Sequence, residues 1–186
     1  MTDAMNDSGH GSLDAPFALR TPDLRLVALA PAAALDLSSG GTGGFTWIEG
    51  GPEEGTRIGA GLMAKAAAEG AYVPGWGTYI LVRESDGLAV GAMGFHGAPA
   101  EGRAEIGYDV VTTARRNGYA TQALRALTTW ALSTPQADTI TARTDPTNEP
   151  SQRALERVGF RRVASEDPAW LAYELSPFGT PSPCGA

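Results

Sequence analysis

Between Arg103 and Ser133 the spacing of apolar residues changes once, and that change constrains the fold more than any other feature of the chain. Over Arg103–Val111, Ala104, Ile106, Tyr108 and Val110 share one face by the two-residue period of a strand, and Glu105, Gly107 and Asp109 share the other. From Ala120 the apolar residues Ala123, Leu124, Leu127 and Ala131 follow helical spacing to about Ser133. A strand therefore passes through the short segment Thr112–Tyr119 directly into an amphipathic helix.

The flanking sequence has the same mixed character. Leu24–Leu29 reads as a strand, and Pro31 starts a short Ala-rich helix, because proline suits a first helical turn. Pro52–Glu69 reads as a helix with Leu62, Met63, Ala66 and Ala67 as its apolar face, closed by Gly70. Trp76–Glu84 and Leu88–Phe95 form a hairpin about Ser85-Asp86-Gly87. Asp138–Arg143 is a strand, Asn148 starts a helix that Gly159 ends, and Phe160–Val163 and Trp170–Leu175 are the last strands. Helices interleaved with the later strands make the class α+β or mixed α/β.

The 186 residues, 42% hydrophobic and 19% charged, suit one domain, expected at 17–177. The polar leader 1–16 is expected to be disordered and the tail 178–186 to be flexible. The net charge of −7 disfavours nucleic acid, whose binding rests on phosphate neutralisation, and favours protonated amines. The lone cysteine, Cys184, lies in the tail and is no candidate nucleophile. No apolar run approaches the ~20 residues of a membrane span and no signal peptide is evident, so no membrane partner is expected and the cytoplasm is the expected location. No metal site is expected.

The segment Ala114–Ala120 is the candidate binding site. A helix N-terminus offers unpaired backbone N–H groups and the positive end of the macrodipole. Gly118 and Ala120 would let a phosphate approach those groups, with Arg115 and Arg116 beside them. On spacing alone an ordinary loop and cap remains the competing reading. No Walker G-x-x-x-x-G-K-[ST] and no G-x-G-x-x-G after a strand is present.

Arg115-Arg116-Asn117-Gly118-Tyr119-Ala120 resembles the [QR]-x-x-G-x-[GA] signature of the GNAT superfamily of N-acetyltransferases. Asn148-Glu149-Pro150-Ser151 and Val158-Gly159-Phe160 look like its second motif. Glu105-Ile106-Gly107-Tyr108, Gly118-Tyr119-Ala120-Thr121-Gln122-Ala123-Leu124 and Trp130-Ala131 are similar to the ribosomal-protein N-terminal acetyltransferase (RimJ/RimL-type) branch. The resemblance covers about Thr21 to Leu175. It implies the GNAT fold, a mixed central sheet of about six to seven strands flanked by about four helices. It also implies transfer of an acetyl group from acetyl-CoA to a primary amine by direct attack. Val110 and Val111 would lie on the strand that pairs with pantetheine. Arg115, Arg116, Gly118, Tyr119, Ala120 and Thr121 would surround the diphosphate, Asn148 would contact the pantetheine arm or the thioester region, and Ser151 would lie near the sulfur. A homodimer is left open.

Direct attack requires a base for the ammonium, a donor for the oxyanion and a proton for the thiolate. Glu105 is the candidate base, on the expectation that partial burial raises its pKa; a solvated glutamate or an ion-pair partner for Arg103 is the competing reading. Asp109 is a weaker substitute. Ser151 is the candidate acid, since the tyrosine that many family members carry seven residues after the asparagine is Leu155 here; a capping role competes. The oxyanion donor is expected to be a backbone N–H near Val110, while Tyr108 is expected to pack. Trp47, Glu49, Phe95 and His96 are acceptor-site candidates, with core packing the competing reading for the aromatics. A non-catalytic acyl-CoA sensor or interaction module is the alternative function.

Overall fold

The computed structural model describes residues 18–177, so the expected leader and tail lie outside the described residues. In chain order the elements are β1 (Ala18–Arg20), β2 (Leu24–Ala28), α1 (Pro31–Ser38), α2 (Glu54–Ala68), β3 (Thr78–Arg83), β4 (Ala89–Phe95) and β5 (Arg103–Val110). After a 3-10 turn at Thr112–Ala114 come α3 (Tyr119–Ser133), β6 (Thr139–Thr144), α4 (Glu149–Val158), β7 (Arg161–Val163) and β8 (Leu171–Leu175). The mixed sheet and four helices match the expectation, with eight strands rather than six to seven. The additional strand is β1, whose three residues are too few to display a period; it is defined by its pairing with β2.

The sheet order is β1-β2-β3-β4-β5-β6-β8-β7. Every pairing is antiparallel except β5 with β6, and α3 supplies the crossover that a parallel pair requires. The residues that alternate along the strands enter two cores. Tyr79, Leu81, Val90, Met93 and Ile106 pack with Ala123, Leu124, Leu127 and Ala131 of α3. Ile80, Val82, Ala89 and Ala92 pack with Leu37 of α1 and with Ala60 and Met63 of α2. The buried stripe of α2 is Thr56, Ala60 and Met63, spaced i, i+4, i+7. Leu62, expected on its apolar face, lies outside that stripe and is exposed.

One feature of the sheet creates the site. β5 and β6 pair only at Arg103↔Thr139, Ala104↔Ile140 and Glu105↔Thr141. Beyond Glu105, β4 still holds β5 as far as Gly91↔Val110, while β8 holds β6 as far as Thr144↔Leu171. Each strand follows its outer neighbour, and the sheet opens between them.

Candidate active site

The opening forms a cleft of about 1100 Å³ lined by β5 (Tyr108–Val110), the loop and first turn of α3, and α4 with the residue that caps it. Of the expected binding residues, Val110, Arg115, Arg116, Gly118, Tyr119, Ala120, Thr121, Asn148 and Ser151 all line it. Val111 does not. Its N–H donates to the Val90 carbonyl at 2.9 Å and its side chain is buried, so it is committed to the sheet rather than to a ligand. The antiparallel alternation places the backbone groups of Tyr108 and Val110 on the edge facing away from β4.

At the head of the cleft Gly118 is in the left-handed region (φ 76), and apart from the adjoining backbone and chain neighbours nothing lies within 4 Å of where a Cβ would stand. No side chain caps α3, and the first helical bond joins the Gln122 N–H to the Gly118 carbonyl. The N–H groups of Tyr119, Ala120 and Thr121 therefore have no acceptor within the helix. Arg116 is also left-handed (φ 68), a conformation costly for a residue with a Cβ and often retained at functional sites. Arg115 is anchored, its Nε donating to the Val110 carbonyl at 2.9 Å and its guanidinium 3.7 Å from Glu53. Glu53 accepts from both N–H and hydroxyl of Thr112 at 2.7 Å, which with Arg115 holds its carboxyl below the usual range. Arg153 and Arg157, one turn apart on α4, add two more cations to the lining, which contains only Asp109 and Glu149 as acids. In a chain of net charge −7 this is a local positive field suited to phosphates. The reading of the sequence missed both arginines, although their i, i+4 spacing behind Asn148 was available as a signal.

On the α4 side of the cleft, Asn148 caps the helix by accepting the Ser151 N–H at 3.2 Å. The Ser151 hydroxyl is therefore free of capping and lies 2.6 Å from the Tyr108 hydroxyl, which also donates to the Ser151 carbonyl at 3.2 Å. Tyr108, expected only to pack, is thus part of the site. Burial pushes its phenol up to about 12, against the lowering effect of the Ser151 hydrogen bond, so it remains a donor at neutral pH. Leu155 is buried in the core.

On the opposite face of β5 the expectation for Glu105 fails. Its partner is Arg143 of β6, which donates to both carboxylate oxygens at 2.8 and 3.2 Å, and His96 Nδ1 lies 3.5 Å away. Arg103 instead pairs with Glu174. The His96 ring and then the Arg143 guanidinium hold the Glu105 carboxyl down at about 2, outweighing burial. A raised-pKa base is not what this carboxylate is. The raised carboxyl on this face belongs to Asp109, through burial and then the charge of Glu53, although it accepts the Thr56 N–H at 3.2 Å.

The acceptor-site candidates are dispersed. Phe95 is in the core, its ring 4.7 Å from that of Trp76 and 6.2 Å from that of Trp130. Trp47 donates to the Thr42 carbonyl, and Glu49 is exposed with its carbonyl accepting from Thr113; neither lines the cleft. His96 stands beside Glu105, and with Phe95 and Tyr72 lines a small depression against α2. Among the described residues no group of three His, Cys, Asp or Glu could hold a metal, and no helix is long and apolar enough to cross a membrane.

The protein named "Uncharacterized N-acetyltransferase YjdG" of Bacillus subtilis (strain 168) is 40% identical over 87 residues, which are 46% of this chain and 52% of that protein. The chain thus spans about half the length of the curated relatives it matches. A crystal structure of an acetyltransferase from Agrobacterium tumefaciens str. C58 superposes with a TM-score of 0.59 at 25% identity, covering 85% of this chain and 93% of that one. RimL, a ribosomal-protein α-N-protein acetyltransferase solved in complex with coenzyme A, shares the fold at 14% identity, with a TM-score of 0.60 over 86% of this chain and 97% of its own. The family model described as "Acetyltransferase (GNAT) domain" matches residues 56–161, more than half of the sequence. The chain belongs to the GNAT acetyltransferase domain family.

Proposed function

We propose that this chain is an N-acetyltransferase of the RimJ/RimL-type branch, with residues 17–177 as its catalytic unit, which uses acetyl-CoA to acetylate a primary amine. The acceptor is a protein N-terminal amine or a small-molecule amine. The observation that carries the proposal is the opening of the sheet with unpaired backbone donors at its head. Three helical N–H groups, a glycine with open space above it and four arginines fit a diphosphate and a further phosphate. The edge of β5 at Tyr108 and Val110 fits the amides of a pantetheine arm, and the Val110 N–H fits a developing oxyanion.

Acetyl-CoA supplies an activated thioester. Tyr119–Thr121 and the arginines hold its diphosphate, Asn148 and the β5 edge direct the arm inward, and Ser151 presents a hydroxyl to the departing sulfur. Tyr108, 2.6 Å from that hydroxyl, orients it. With Leu155 at the position of the family tyrosine, the hydroxyl offered to the sulfur is that of Ser151, supported by the Tyr108 phenol of β5.

Calorimetry with CoA and with pantetheine, paired with thiol release from acetyl-CoA over a panel of primary amines and peptides with free N-termini, tests the proposal. CoA should bind at least tenfold more tightly than pantetheine, and at least one amine should accelerate thiol release. Tight binding with no amine-dependent release would leave the sensor reading in its place.

A further inference from the structure

His96 and Glu105 form a histidine–carboxylate pair at the closed end of the opening, on the face of β5 opposite Tyr108 and Ser151. His96 directly follows β4, and its N–H donates to the Glu105 carbonyl at 3.0 Å, which fixes its backbone. Its Nδ1 lies 3.5 Å from Glu105 Oε1, and Glu105 is in turn gripped by Arg143 across the last paired position of β5 and β6. The other ring nitrogen lies over Gly107: a Cβ there would stand 2.7 Å from His96 Nε2, so only glycine leaves the ring this position. Gly107 adjoins Tyr108, where the cleft lining on β5 ends. The imidazole is partly exposed and lines its small depression on the α2 side with Tyr72 and Trp76.

We infer that His96 is the general base of the transfer, with Nε2 taking the proton of the acceptor ammonium, and that Glu105 is a positioning residue that holds Nδ1–H toward its carboxylate. The inference rests on the acetyltransferase reading and specifies its acceptor side. An ammonium proton passes to Nε2 and on to solvent. The nitrogen lone pair then forms the C–N bond as the C–S bond breaks. The second proton lost by that nitrogen balances the one that Ser151 gives the thiolate. The products are the amide, the free thiol and one proton. A carboxylate paired in this way sets the tautomer and orientation of the ring and stabilises the imidazolium, whereas on its own it is too weak a base to take the proton. The titratable groups facing His96 are Glu105, Arg143 through Glu105, and Tyr72 on the α2 side.

Bromoacetyl-CoA tests this without knowledge of the acceptor. Its electrophilic carbon occupies the acetyl position, and a nucleophilic nitrogen in reach displaces bromide to form a C–N bond. Wild-type protein should acquire one adduct, mapped by mass spectrometry to His96 and by NMR to Nε2, saturably and with protection by excess CoA. His96→Gln should lose that adduct while binding CoA within twofold of wild type. Glu105→Ala should slow labelling about tenfold and spread the adduct over both ring nitrogens, which a merely structural role would not do. Gly107→Ala should slow it comparably, because the new methyl displaces the ring. An adduct on another residue, or none, in protein that binds CoA overturns the pair and leaves the cofactor site standing. Absence of CoA binding overturns the acetyltransferase reading itself, and the pair with it.

Discussion

Replacing Tyr108 with phenylalanine removes one oxygen and separates two roles for Ser151. The lost contacts are the 2.6 Å link to the Ser151 hydroxyl and the 3.2 Å bond to its carbonyl. A hydrogen bond that only orients a partner has a net worth of roughly 0.5–1.5 kcal/mol. At about 1.4 kcal/mol per tenfold, Y108F should lower kcat roughly two- to tenfold. Loss of a proton donor costs more, about 100-fold at the lower end for general acid catalysis, and Ser151→Ala should show that loss. Because the tyrosine acts through the serine, the double variant should be no slower than S151A alone. The assay is thiol release from acetyl-CoA with whichever amine the panel identifies, with CoA affinity measured in parallel and expected within twofold throughout. Multiplicative effects in the double variant, or a Y108F loss as large as that of S151A, would refute the assignment of the serine as donor and the tyrosine as its support.

Three other perturbations follow from the site. Arg116→Gly relieves a left-handed arginine worth roughly 1–2 kcal/mol of strain, so the melting temperature should hold or rise while CoA affinity falls; a lower melting temperature with unchanged affinity counts against it. Glu105 titrates at about 2 in the fold, below the usual carboxylate value of 4.5, so its contribution is present above 4.5 and is lost as pH falls toward 2. Acid unfolding of Glu105→Gln should show a shallower loss across that window, and a slope equal to that of wild type rules the contribution out. Asp109 has the opposite sign: its carboxyl is raised by burial, so the charged form destabilises as pH rises through its folded pKa. Asp109→Asn, which retains an acceptor for the Thr56 N–H, should be at least as stable as wild type at pH 8, with the difference closing in acid; denaturant melts at the two pH values check this.

The parts of the molecule that follow local rules were legible in the sequence. α3 was placed by its apolar spacing and α4 by Asn148 and Gly159, which cap it as expected, Gly159 with φ 109. The head of the cleft was legible for the same reason, since a loop and a helix start are local features. What failed depends on neighbours distant in sequence. Tyr108 and Ser151 are 43 positions apart, and Glu105 and Arg143 are 38 apart. Strand period shows which face Tyr108 and Glu105 occupy but not which strand or helix lies opposite. Arg103 was therefore considered for Glu105, although the side chain across the β5–β6 seam is Arg143. The pKa expectation failed with it, because burial alone raises a carboxyl whereas burial beside a guanidinium and an imidazole lowers it. Val111 was misassigned because one residue decides whether a strand N–H faces the sheet or the opening.

The account depends most on the donors at the start of α3. Amide NMR spectra recorded during titration with CoA, and separately with pantetheine, observe them directly. With CoA, the amide signals of Gly118, Tyr119, Ala120 and Thr121 should show the largest downfield shifts, and pantetheine should leave them within a small fraction of that change. Saturation with CoA that leaves those four signals in place would contradict the account.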